Sequence, residues 1–180
     1  MSLSFIPWIL SWIFINRNLL LGVIVPLSIS IGIIVIKRKA KSIIYFEKIN
    51  VLYFAILLII GYFGDEILAN NGSEINYFAM ALIWLNSVFD NKPLTADYLK
   101  YRYDISIEKN PVFIKTNNIL ILFWSGIFVI QGIIYITLKS YGYFKITLLL
   151  YLLIFVALKF TNRFSMWYPK KIASGDSLLE

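Results

Sequence analysis

The chain is made of long apolar blocks parted by short polar breaks. A helix that crosses a bilayer needs roughly 20 mainly apolar residues, each adding about 1.5 Å. Leu19–Ile36 runs without a charge and stops at Lys37-Arg38-Lys39-Ala40-Lys41. Ile49–Phe63, extensible back to Ile43, ends at Gly64-Asp65-Glu66. Ile75–Phe89 follows and carries Asn76 and Asn86. Ile119–Leu138 includes the polar Ser125 and Gln131, and Phe144–Phe160 has Lys145 and Lys159 at its two ends. Lysines at helix ends snorkel to the interface. These blocks predict five spanning helices. Leu3–Ile15, with Pro7, Trp8 and Trp12, makes only about 20 Å of helix against a core of about 30 Å. Tryptophan favours the interface, so this segment reads as a shallow or re-entrant helix packed on the second, with a full crossing as the alternative. It does not read as a signal peptide, because no basic residue precedes it and no small-residue cleavage site follows.

Charge then orients the helices. Lys and Arg number five in the 37–48 loop, five in the 90–116 loop and four in the C-terminal tail, against three (Arg17, Lys139, Lys145) on the opposite side. The loop between the helices ending at Phe63 and beginning at Ile75 carries Asp65, Glu66 and Glu74 and no Lys or Arg. By the positive-inside rule both basic loops and the C-terminus are cytoplasmic.

Composition changes the picture by exclusion. The 59% hydrophobic and 15% charged residues compare with about 45–50% and about 25% in soluble domains, which excludes a soluble globular enzyme. With no Cys and no His, disulfides, thiolate chemistry, His-ligated metals and His-based triads are excluded. Carboxylates remain for acid/base work. The net charge of +7 is accounted for by topology, and no nucleic-acid partner is expected. The fold class is an all-α polytopic membrane helix bundle. Residues 1–172 form a single transmembrane domain with a cytoplasmic interfacial loop at 91–116. Residues 173–180 read as an appended tail.

Three sets of residues could carry function. Lys92, Tyr98, Lys100, Tyr101, Arg102 and Tyr103 interleave aromatic and basic groups in the long loop, where Thr95 can cap a short helix. They suit an interfacial connector, or more sharply a patch for anionic lipid or a partner protein. Asp65, Glu66 and Glu74 form an outer acidic group, read first as a solvated helix cap and second as a functional cluster. Asn76, Asn86, Asn117, Asn118 and Gln131 lie in or beside spans, where amides pair across helices or line a polar interior. Pro26 is expected to kink its helix. No phosphate-binding, dinucleotide-binding, kinase or hydrolase motif is present, and no internal repeat. No cofactor is expected.

In order, the features are Phe5-Ile6-Pro7 opening a short helix, an uncharged second helix, the basic Lys37–Lys41 connector and a third helix with Gly61 and Gly64 ending in acids. Tyr77 in the fourth helix, Lys92-Pro93-Leu94, Asn117 or Asn118, Phe123-Trp124 and Phe144-Lys145 follow. Over about residues 4–165 this order resembles, as a distant member, the bacterial intracellular septation protein A family. One departure is Gly72-Ser73-Glu74-Ile75-Asn76, where the family has an aromatic-acidic stretch leading to Trp-Lys-Pro. The resemblance implies an inner-membrane, multi-pass protein of septation and envelope maintenance, without catalytic residues. Its partners would be the bilayer and other membrane proteins of division and elongation, and a homo-oligomer is open. The leading expectation is therefore a non-enzymatic scaffold. A small transporter or channel subunit for ions, lipids or small solutes comes second, and a carboxylate-dependent membrane enzyme last.

Overall fold

The computed structural model describes residues 3–15, 17–39, 43–63, 66–89, 94, 110–139 and 143–173. Among them every regular element is helical: a 3-10 turn Leu3–Phe5, then α1 (Ile6–Phe14), α2 (Leu19–Lys39), α3 (Tyr45–Tyr62), α4 (Glu66–Phe89), α5 (Pro111–Leu138) and α6 (Tyr143–Ala173). They fall into two compact units, Met1–Ala79 and Met80–Glu180, whose boundary lies within α4.

Local chemistry sets the helix starts. At α5 the Asn110 side chain accepts from the N–H of Val112 at 2.9 Å and of Phe113 at 3.4 Å. Pro111 takes the first helical position, where its missing N–H costs nothing. At α2 Asn18 Oδ1 accepts from the N–H of Leu21 at 3.0 Å. At α3 the Glu47 carboxylate reaches back to the Ile44 N–H at 3.2 Å, satisfying a donor that a helix start leaves open.

Among the described residues, four helices are long and apolar enough to cross a membrane: α2 over Leu19–Arg38, α3 over Tyr45–Tyr62, α5 over Pro111–Leu138 and α6 over Leu148–Ile172. Leu3–Phe14 is a shorter apolar helix. Large apolar side chains such as Leu21, Val35, Leu52, Ile59, Leu122, Ile136, Leu148 and Leu152 are exposed along these four. Water does not tolerate that much continuous apolar surface on a monomer, and the chain is accordingly a helical membrane protein.

Three elements depart from the sequence reading, the first being α5, which starts at Pro111 and not at Ile119. Much of the loop expected between Phe63 and Ile75 is helical, because α4 starts at Glu66 and only bends at Asn71, where φ is −127° and ψ 22°. The expected span Ile75–Phe89 is thus the second part of a longer helix whose first half carries Glu66, Asn70, Asn71 and Glu74. The last helix does not end at Phe160 but continues to Ala173, through Pro169.

In the first unit α1 runs antiparallel to α2. Ile15, just past α1, sits against Gly22 near the start of α2. At the other end Ser4 bonds Glu47, whose carboxylate also holds Lys37 near the end of α2. In the second unit α5 and α6 are antiparallel. Trp124 Nε1 donates to Thr161 Oγ1 at 3.0 Å, and Gln131 Nε2 donates to the Leu150 carbonyl at 3.3 Å.

Candidate functional site

The densest polar chemistry lies inside the first unit, where α1 is wedged among α2, α3 and α4. Trp8, fully buried, anchors it. Its ring stacks on Tyr53 at 4.8 Å and meets Phe54 at 5.3 Å, and Phe5 meets Phe46 at 5.2 Å. An indole buried this way needs a partner for its N–H. Asn50 provides it, accepting from Trp8 Nε1 at 2.9 Å while its own Nδ2 donates to the Ser4 carbonyl at 2.8 Å.

One turn before Asn50, Glu47 is 1% exposed. Its Oε1 accepts from Ser4 Oγ at 2.7 Å and from Lys37 Nζ, and its Oε2 accepts from the Ile44 N–H. Three donors around a carboxylate, one of them cationic, are what a buried charge needs to persist. The cluster ties the start of α1, the end of α2 and the start of α3 at a single residue.

A second set of bonds joins all four helices. Tyr53 Oη donates to Asn76 Oδ1 at 2.7 Å, and Asn76 Nδ2 donates to Ser11 Oγ at 2.8 Å. Ser11 Oγ in turn donates to the Gly22 carbonyl at 2.8 Å. In an unbroken helix that carbonyl would accept from the N–H of residue 26. Residue 26 is proline and has no N–H, so the Ser11 hydroxyl takes the vacant place. Close approach is permitted by glycine: a Cβ on Gly22 would overlap the Ile15 backbone, lying 2.6 Å from its nitrogen. A Cβ on Gly72 would lie 2.7 Å from the Ile15 side chain.

The sequence-predicted residues are distributed unevenly about this core. Asn76 is fully buried at its centre. Asn117 is buried in the second unit and bonds its own helix at the Phe113 carbonyl, 2.8 Å away. Gln131 is fully buried, and its Oε1 has no hydrogen-bond partner among the described residues; Asn118 Oδ1 and the Ser125 hydroxyl also lack one. Asn86 is exposed on α4. The amides of α5 do not converge, since Asn117 and Gln131 stand about 21 Å apart along the helix. Glu74 is 4% exposed, which departs from a solvated cap: it lies inside α4 beyond the bend, not at a helix mouth. Asp65 and the Glu66 side chain lie outside the described residues, as do Lys92, Thr95, Tyr98, Lys100, Tyr101, Arg102 and Tyr103 of the long loop.

Sequence reasoning missed Glu47, Asn50 and the partnership of Lys37. A usable signal was there: Glu47, Asn50, Phe54 and Leu57 recur at helical spacing and all are buried on α3. The capping signature was hidden because Ile44 stands where Ser or Thr marks a capping box.

The arrangement is a set of donors and acceptors that satisfy one another across four helices. No family model matches the chain, and no curated protein or solved structure does either.

Proposed function

We propose that this chain is a non-enzymatic inner-membrane protein that serves cell-envelope synthesis and septation as a scaffold or maintenance factor, through contacts with other membrane proteins. The observation that carries the reading is the Tyr53–Asn76–Ser11–Gly22 chain of hydrogen bonds. It spends the polar groups of Tyr53, Asn76 and Ser11 on holding helices together. A body fixed in this way presents its lipid-facing surfaces in constant relation, which is what a scaffold requires. The resemblance to the septation protein family supplies the process. In this reading α2 to α6 cross the bilayer, the two basic loops and the C-terminus face the cytoplasm, and α1 is embedded beside α2 with its first residues on the cytoplasmic side.

Deleting the gene in its own bacterium tests the proposal. Misplaced or missing septa, restored by the wild-type gene, are expected. Normal division and envelope integrity with altered uptake or efflux of a solute would overturn it.

A second reading, a small transporter or channel subunit, draws on one observation. The Ser125 hydroxyl and Gln131 Oε1 are buried on α5 without hydrogen-bond partners among the described residues. Buried acceptors inside a membrane are costly, and a polar path along α5 would give them a use.

A further inference from the structure

We propose that one exposed strip of α6 binds an acidic phospholipid, with the acyl chains on Leu148, Leu152 and Phe155 and the anionic head attracted by the row of Lys159, Arg163 and Lys170. Spacings of three and four residues place these six, with Met166, on one helical face, and all seven are exposed. The strip is therefore apolar along its first half and cationic along its second, as a phospholipid is apolar along its chains and anionic at its head. The continuation of α6 to Ala173 makes the face continuous. Had the helix ended at Phe160, Arg163 and Lys170 would have no fixed relation to Lys159.

The charge here is uncompensated by sequence. From Lys109 to Gly175 the chain has no Asp or Glu, so neither α5 nor α6 offers a carboxylate to these cations. Lys37, by contrast, is committed to Glu47. The antiparallel register adds a further cation. Nine residues before Trp124 is Lys115, and nine after its partner Thr161 is Lys170, so both stand at the same end of the helix pair. Favourable placement of cations at a helix C-terminus accounts for Lys170 and Lys171 but not for Lys159 and Arg163, about three to four turns inside. The positive-inside rule accounts for the sign of the charge, not for its alignment on one face.

Aromatic groups mark the depth. Lys159 Nζ lies 4.6 Å from the Phe155 ring centroid and Lys171 Nζ 5.2 Å from that of Trp167. Trp167 is exposed and sits among the cations, where an indole belongs at the headgroup level. Basic groups just beyond a membrane helix attract anionic lipid, and several acting together produce a measurable preference.

Trp167 serves as the reporter. The full-length protein is reconstituted in phosphatidylcholine vesicles containing brominated phosphatidylglycerol or brominated phosphatidylcholine, and the quenching lost in Trp167→Phe is assigned to Trp167. The expected result is a preference for the acidic lipid of at least about threefold, weakened by high salt. It should fall to about one in Lys159→Gln/Arg163→Gln/Lys170→Gln and partway in Arg163→Gln alone, while Lys48→Gln, on α3, leaves it unchanged. Equal quenching by the two lipids in the wild type would overturn the proposal, as would a preference that survives the triple substitution. Loss of the preference on adding millimolar inorganic phosphate would point to a free anion, and its loss on adding an acidic peptide would point to a protein partner; either result overturns the lipid assignment.

Discussion

The hydroxyl of Ser11 donates to the carbonyl of Gly22 at 2.8 Å, and that carbonyl is the one Pro26 leaves without a helical donor. A proline inside a membrane helix creates an acceptor that lipid cannot satisfy. Here the defect is the docking point for another helix. The exchange explains why a helix as short as α1 stays in place: its polar contact is made where α2 has an acceptor to spare and, at Gly22, no side chain in the way.

The linkage predicts a coupling that can be measured. Ser11→Ala leaves the Gly22 carbonyl without a donor and Asn76 Nδ2 without an acceptor, and should destabilise the detergent-solubilised protein by about 1–3 kcal/mol. In a Pro26→Ala background the helix supplies its own N–H to Gly22, so Ser11→Ala should cost less by at least about 0.5 kcal/mol. Unfolding in a denaturing-detergent titration reads both. Equal costs in the two backgrounds would show that Pro26 and Ser11 act independently.

Glycine substitutions should separate by position. Gly22→Ala places its Cβ against the Ile15 backbone, which cannot yield as a side-chain tip can. A methyl group added at Gly32 or Gly126 would meet nothing within 4 Å. At those two sites alanine should be neutral or stabilising by up to about 1 kcal/mol, from its better helix propensity. Gly72→Ala should fall between, since its Cβ would meet the Ile15 side chain, at Cγ1 and Cδ1, and not backbone. Melting temperatures of the four variants test the order.

The pattern of apolar blocks announced a membrane bundle because lipid constrains composition so tightly; α2 and α3 begin and end near the expected positions, and α5 ends at the expected Leu138 but begins at Pro111, well before Ile119. The interior was less legible. Asn76 stood out as a polar residue in an apolar block, but its partner Ser11 is 65 positions away, and no local pattern encodes that contact. Glu47 drew no notice because it sits beside Lys48 at the mouth of α3 and lacks a Ser or Thr three residues earlier. The continuation of α6 was masked by Lys159, Arg163 and Pro169, each of which reads locally as an end. The bend at Asn71 was invisible for the opposite reason: the segment reads as a loop between two spans, while the chain is helical on both sides of Asn71 and Gly72 packs on Ile15.

The Lys37–Glu47 pair should behave as a buried pair rather than a surface one. Lys37→Met leaves the Glu47 charge buried without its cation and should cost about 3–5 kcal/mol. Lys37→Met/Glu47→Leu removes both charges and should recover a large part of that loss, although Ser4 and Ile44 then lose an acceptor. Detergent unfolding of the single and double variants checks this. A double variant less stable than Lys37→Met would refute it.

The antiparallel course of α1 predicts the sidedness of the N-terminus. The chain has no native cysteine, so single cysteines report cleanly. Leu3→Cys and Arg38→Cys should react with a membrane-impermeant maleimide from the same side of the membrane, and Arg17→Cys from the other. Labelling of Leu3→Cys together with Arg17→Cys would mean that α1 lies on the surface.

A polar interior whose groups are spent on holding helices together should carry nothing across the membrane. Proton, sodium and potassium flux in vesicles reconstituted with the full chain decides the matter. Flux should equal that of protein-free vesicles, both for the wild type and for Asn76→Leu, while Asn76→Leu unfolds more readily in detergent. Wild-type flux above the protein-free level, abolished by Asn76→Leu in folded protein, would show instead that the first unit conducts.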